Sequence, residues 1–291
     1  MIFLILAIVA GLSVSVIFKL VGSRNIDRLT FITTNYAAAG ATALAVLLVG
    51  DADLDVVSDP GLLTFGIALG AIFFGGFMLF SWAIPAIGVA IVIGVLRTSI
   101  VLAFLASWLV WNEEPSGAQF VGMFIAVSAF FLISKLDEPT TTTTSGPSRK
   151  VKFIVLAILF FNIGTVDLSL KAFDEWFADD FHVSVFAWLI FSSAAVYGLI
   201  AIVVRGFLYS KWPDMRSVGW GVVLGVINFG SIDFLVRALD TLPGTFVLPV
   251  NGIAGTVGAT ALGVVVWREH LSRINWIGIG MATTALVLLN L

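Results

Sequence analysis

The sequence contains no cysteine, only two histidines, and charged residues at just 11% of positions. The missing cysteines exclude disulfides, thiolate metal sites and thiol nucleophiles, and leave the redox compartment open. His182 and His270 stand far apart in no paired arrangement, so neither a histidine metal site nor any other cofactor is expected. A soluble domain carries about 25% charged residues. At 11% the chain cannot clothe a water-facing surface. No G-x-x-x-x-G-K-[ST] phrase occurs, which argues against direct ATP drive. The net charge of −3 gives no basic footprint for nucleic acid.

What the chain has in quantity is apolar sequence. Of its 291 residues 59% are hydrophobic, and its mean hydropathy is +1.09. About 20 apolar residues cross a hydrocarbon core as a helix. Ten such stretches can be marked: Ile2–Leu20, Phe31–Val49, Leu62–Phe80, Pro85–Val110, Ala118–Leu132, Phe153–Leu170, Val183–Val204, Val218–Arg237, Pro243–Val266 and Ile274–Leu291. Backbone groups in lipid must be paired within their own segment, so helices are expected. The expectation is an all-α integral membrane protein embedded in a lipid bilayer. The start, "MIFLILAIVAGLSVSVIFK", lacks a basic n-region and reads as a first span. The one long hydrophilic stretch, "KLDEPTTTTTSGPSRK", cannot bury a core and reads as a linker.

That linker separates two related halves. "WNEEPSGAQFVGMF" from Trp111 recurs as "WREHLSRINWIGIG" from Trp267, and "FGIALGAIFFGG" from Phe65 recurs as "WGVVLGVINFGS" from Trp220. Between Gly66 and Ile84 the second pairing gives seven identities in nineteen positions. The sequence therefore divides into a first five-helix repeat (1–136), a linker (137–150) and a second repeat (151–291). An odd number of crossings per half turns the second half over, giving ten helices in two inverted repeats, an architecture recurrent in secondary transporters. Gly66/Gly70 and Gly221/Gly225 are GxxxG pairs, expected to let neighbouring helices approach closely.

The five-plus-five pattern, the phrases Glu113-Glu114-Pro115-Ser116 and Glu269-His270-Leu271-Ser272, and the following Gly122 and Gly278 resemble the drug/metabolite transporter superfamily, in its EamA-like branch. The resemblance implies a carrier of a metabolite or drug with a central cavity and alternating access. Glu113 and Glu269 match its motif, and their expected role is structural, at the helix junction.

Basic residues distribute unevenly between the two sides. Lys19, Arg24, Arg28, Lys135, Arg149, Lys150, Lys152, Arg205, Lys211, Arg216, Arg268 and Arg273 fall on one side, with only Lys171 and Arg237 on the other. The positive-inside rule puts the linker in the cytoplasm and both termini outside a cell membrane. This departs from the resemblance, under which both termini are cytoplasmic.

One basic residue belongs to neither side. Arg97 falls about 18 Å along the fourth span, near the bilayer centre. An arginine there costs roughly 2.5–3.5 kcal/mol on insertion scales and usually faces a bundle interior or a wet cavity. Its guanidinium either holds a carboxylate or phosphate of a substrate or pairs with a buried acid. Asp167 and Asp233 compete for that second role, although each has a base four residues on, Lys171 and Arg237. Either acid can also carry a coupling proton. In the repeat register Arg97 aligns with Ile253 and Asp233 with Met78, so the intramembrane charges occur once on a duplicated scaffold. Tyr36, Asn162, Asn228 and Asn251, together with Asn35, can bond a ligand or another helix. Trp82 can stack on a ligand or pack. Pro85, Pro243 and Pro249 are candidate kinks in the fourth and ninth spans.

The reading that follows is a secondary carrier for a small metabolite or drug, with an anionic group as the match for Arg97. The alternatives are an intramembrane enzyme, for which no nucleophile–base set is visible, and a channel, for which no polar ring or repeated filter is visible.

Overall fold

The computed structural model describes residues 1–49, 59–112, 114–133, 147–177, 180–181, 183–239, 241–242 and 244–291. Among these residues the chain is helical and contains no strand. The helices are α1 (Ile2–Gly22), α2 (Arg28–Val49), α3 (Pro60–Ile87), α4 (Val89–Thr98), α5 (Ile100–Leu109), α6 (Gly117–Ile133), α7 (Arg149–Phe177), α8 (Val183–Tyr209), α9 (Met215–Leu239), α10 (Gly244–Ala261) and α11 (Arg273–Leu289). A π-helical segment, Leu262–Val266, follows α10. Among the described residues six helices are long and apolar enough to span a bilayer by length and composition, and the other apolar helices are shorter. Glu113 and most of the linker lie outside the described residues.

Over its described residues each apolar stretch marked in the sequence is helical, with one correction; Pro243 lies outside the described residues. The fourth was expected to run unbroken from Pro85 to Val110. Pro85 instead belongs to the last turn of α3, Gly88 breaks the chain at φ 123°, and the span restarts as two ten-residue helices, α4 and α5. Gly88 adopts that angle at little cost because it has no Cβ.

The twice-written phrase now has a physical explanation. Asn112 and Arg268, at matching positions, both take left-handed backbone angles, φ 54° and 52°. They turn the chain sharply after Trp111 and Trp267. Ser116 and Ser272 then cap the next helices. The Ser116 hydroxyl accepts from the Gln119 amide at 3.2 Å while Gln119 Oε1 accepts from Ser116 N–H at 2.9 Å. Ser272 and Asn275 form the same reciprocal box at α11. Asn275 also donates to the last carbonyls of α6, Leu132 and Ile133, at 3.3 and 3.0 Å. Gly122 then lies bare against Leu288 and Leu289, and Gly278 against Leu132 and Ile133.

The packing forms two compact units that cut across the sequence halves. One comprises Met1–Ile8, Trp82–Leu168 and Leu235–Leu291, the other Val9–Ser81 and Ser169–Phe234. In the first, the glycine contacts fix a direction. Early α6 meets late α11 and late α6 meets early α11, so these helices run antiparallel. The second unit shows the same relation for α2 and α8, because Gly40 abuts Ser192 while Gly198 abuts Thr33. The two GxxxG pairs act as expected. Gly66 and Gly70 of α3 pack on Leu189, Ser193 and Ala194 of α8, and Gly221 and Gly225 of α9 lie against the backbone and small side chains of α2. Any Cβ at these four positions would collide, which makes bare backbone a requirement for the crossing.

Acidic residues start several helices. Asp59 accepts from Leu62 N–H at 2.7 Å ahead of Pro60, and Asp214 accepts from Ser217 N–H at 2.9 Å. Both complement the positive end of a helix dipole. Asp27 does more. Its carboxylate receives both Arg205 terminal nitrogens, at 2.6 and 2.5 Å, and the Thr30 hydroxyl at 2.5 Å. Its N–H donates to Ser217 Oγ, which in turn donates to Asp214. One bidentate pair thus joins the starts of α2 and α9 to the end of α8. Partial burial pushes the Asp27 carboxyl up, but the Arg205 and Thr30 hydrogen bonds and the Arg205 charge outweigh it, so it sits below the ordinary aspartate value. A carboxyl held low in the folded state contributes stability above its unfolded pKa and loses it as pH falls through the folded value. Asp27→Asn should therefore lower stability at neutral pH by about 1–3 kcal/mol. Thermal unfolding in detergent should show that gap closing below about pH 4; an unchanged gap at acid pH would assign the effect to packing.

Candidate functional site

The interrupted fourth span carries Arg97, the arginine expected at membrane depth. Thr98 and Ser99 create the interruption. The Thr98 hydroxyl donates to Val95 O at 2.7 Å and the Ser99 hydroxyl to Leu96 O at 2.6 Å. Leu96 O also takes the Ser99 N–H, at 3.3 Å, in place of a regular α-helical bond. Hydroxyls that satisfy carbonyls locally let a helix stop in lipid without orphaned acceptors. Arg97 consequently lies in the last turn of α4. There the carbonyl end of the helix favours a cation.

Three elements of the same packing unit surround the guanidinium. Across from it, α10 presents Gly255, where an added Cβ would stand 2.5 Å from Arg97 Nη2. From α7, Asp167 interacts electrostatically with Arg97. The Asp167 carboxylate also accepts from Ser99 Oγ at 3.4 Å. The helix carrying the acid comes close because Gly164, about one turn earlier, lies bare against Leu102 of α5. Of the two acids that competed for Arg97, the structure brings Asp167 to it. Asp233 is half-buried on α9, on the same helix as Arg237 and one turn before it.

The remaining candidates divide between the units. Trp82, Asn162 and Asn251 belong with Arg97 and are each half-buried. Tyr36 and Asn228 belong to the other unit. Tyr36 is wholly buried there, its hydroxyl donating to Phe73 O at 2.7 Å. Asn228 donates to Asn35 across the α9–α2 crossing at 3.4 Å.

Glu269 holds the opposite end of α4. Its carboxylate oxygens accept from Val89 N–H at 2.9 Å and Ala90 N–H at 3.2 Å, just after the Gly88 break. The motif acid thus reaches beyond its own junction to cap a helix 180 positions away. The π-helical segment and Gly263 make room for it, since a Cβ on Gly263 would meet Glu269 Oε2 at 2.6 Å. A carboxylate on two free amides at a helix N-terminus fixes the rotation of α4, and with it the direction of Arg97. Ser99, Gly255 and the reach of Glu269 were not singled out in the sequence. A Thr-Ser pair inside an apolar span was the available signal for the first. Glu269→Ala should cost about 1–2 kcal/mol of unfolding free energy, and Gly263→Ala should do similar damage by displacing the carboxylate. Unfolding curves indistinguishable from wild type for both variants would rule out this cap.

Comparisons with known proteins agree with this architecture. An uncharacterized protein of Haemophilus influenzae is 27% identical over 293 residues, covering 97% of this chain and 95% of that protein. A crystal structure of a protein superposes with a TM-score of 0.59 at 16% identity, covering 97% of this chain and 96% of that one, a likeness of fold. Residues 1–135, from the start of the chain through α6, match the EamA-like transporter family.

Proposed function

We propose that the protein is a secondary carrier that moves a small metabolite or drug bearing an anionic group across a cell membrane. In this reading ten helices form two inverted five-helix repeats that alternate access to one site. The antiparallel course of α2 with α8 and of α6 with α11 supports it, because each pair matches one helix of the first repeat with its counterpart in the second. Paired, oppositely directed counterparts are what inversion of a duplicated bundle produces. The distribution of basic residues puts the linker in the cytoplasm and both termini outside.

The observation that carries the substrate class is Arg97 at the break of the fourth span. Discontinuous helices recur where transporters bind charged groups, since helix ends offer polar groups at membrane depth. The planar guanidinium packs against a bare Gly255, and its fork of donors has the geometry that matches a carboxylate or phosphate. Trp82, Asn162 and Asn251 are the neighbours proposed to contact the rest of the molecule. Tyr36 and Asn228 take the interhelical role their hydrogen bonds support.

The test is uptake into proteoliposomes of labelled organic acids, amino acids and sugar phosphates. Wild type should accumulate at least one anionic compound saturably. Arg97→Gln should lower kcat/KM roughly 100-fold or more, about 2.7 kcal/mol, while circular dichroism stays unchanged. Equal uptake by the variant would return Arg97 to a purely structural role.

A further inference from the structure

The Arg97–Asp167 pair has a consequence for energetics that a binding arginine alone lacks. Asp167 faces two partners, the Arg97 charge and the Ser99 hydroxyl. The ionisable residues around it are few. Arg97 is the single one on α4, and α5, α6 and α10 have none. Lys171 lies one turn on along α7, followed by Asp174 and Glu175; Lys19 and Arg24 belong to the other unit. Among the described residues, Arg97 is the cation that interacts with this carboxylate from another helix.

A substrate anion that takes the guanidinium's donors withdraws that compensation. Two carboxylates and one guanidinium in a low-dielectric site leave a net negative charge, which membrane depth penalises heavily. Protonating one carboxylate removes it. Asp167 is the one that stays behind; the Ser99 hydroxyl, which donates to its ionised form at 3.4 Å, can accept from the neutral acid while donating to Leu96 O. Building on the carrier reading above, we infer that Arg97 exchanges Asp167 for the substrate's anionic group and that Asp167 takes up one proton as it is released. The step balances as follows: Arg97 with its charge compensating ionised Asp167, one substrate anion and one proton from water become an Arg97–substrate ion pair and a neutral Asp167 carboxylic acid. A monoanion and its proton then move together with no net charge, which makes the carrier a proton–anion symporter driven by a pH gradient.

Two measurements test this, and the first needs no substrate. Infrared spectra of purified wild type at neutral pH should lack a protonated-carboxyl band that appears in Arg97→Gln and is lost again in Arg97→Gln/Asp167→Asn. Arg97→Lys keeps the cation and should resemble wild type. Absence of the band in a folded Arg97→Gln variant, or its persistence in the double variant, overturns the exchange. The second uses proteoliposomes containing a pH-sensitive dye, with inward gradients of succinate, lactate or inorganic phosphate. Wild type should acidify the lumen by one proton per monoanion carried, and in Asp167→Asn the ratio should fall to zero in whatever flux remains. A ratio unchanged in that variant also overturns it. Failure of wild type to carry any anion in the wider uptake panel would instead defeat the carrier reading, whatever the infrared bands show.

Discussion

Two helices can pack closely only where one of them is bare at the contact, and this constraint shapes both packing units. Lipid offers no hydrophobic drive to push helices together, so close van der Waals approach must supply the attraction. Gly122 and Gly278 meet that need between α6 and α11, and Gly40 and Gly198 meet it between α2 and α8. Both pairs run antiparallel. The same glycines that permit contact therefore record that each helix of these pairs is turned over relative to its counterpart.

On the proposed duplicated scaffold, the two halves of the sequence differ at a few positions. The fourth span is interrupted at Ser99, whereas its counterpart continues from α10 into a π-helical turn. Arg97 is held at that interruption, and its counterpart is an isoleucine. Glu269 anchors one end of α4, while Gly255 and Asp167 define what lies around the other. The result is a single cation on a short, rotationally fixed rod, close to one acid. In the proposed carrier, such asymmetry would distinguish the two ends of a small molecule, which a symmetric arrangement would not.

Much of this was legible in the sequence, for identifiable reasons. Apolar runs in lipid leave the backbone no alternative to helix, so the spans could be read directly. The repeated phrase was visible because each of its positions acts locally, through a left-handed turn at Asn112 and Arg268, caps at Ser116 and Ser272, and crossings at Gly122 and Gly278. Arg97 stood out because a cation at membrane depth is costly. What stayed hidden depends on separation along the chain. Asp27 and Arg205 lie 178 positions apart, and Glu269 reaches back 180 positions to α4. No local pattern announces such partners. The break at Ser99 was missed because apolar content on either side reads as one span, and hydropathy does not register a hydroxyl bonding its own carbonyls. Likewise the packing units mix the two halves, since neighbours in the fold are chosen by complementary faces rather than by order in the chain.

Carriage of an anion requires Arg97 to point at water and substrate rather than at lipid. The absence of cysteine allows a direct test, because Arg97→Cys would carry a single thiol. In native membranes that thiol should react with a small, charged, water-soluble thiosulfonate and be slowed by a transported anion. A thiol inert to the reagent in the membrane, yet reactive once the protein is unfolded, would contradict the proposed role of Arg97.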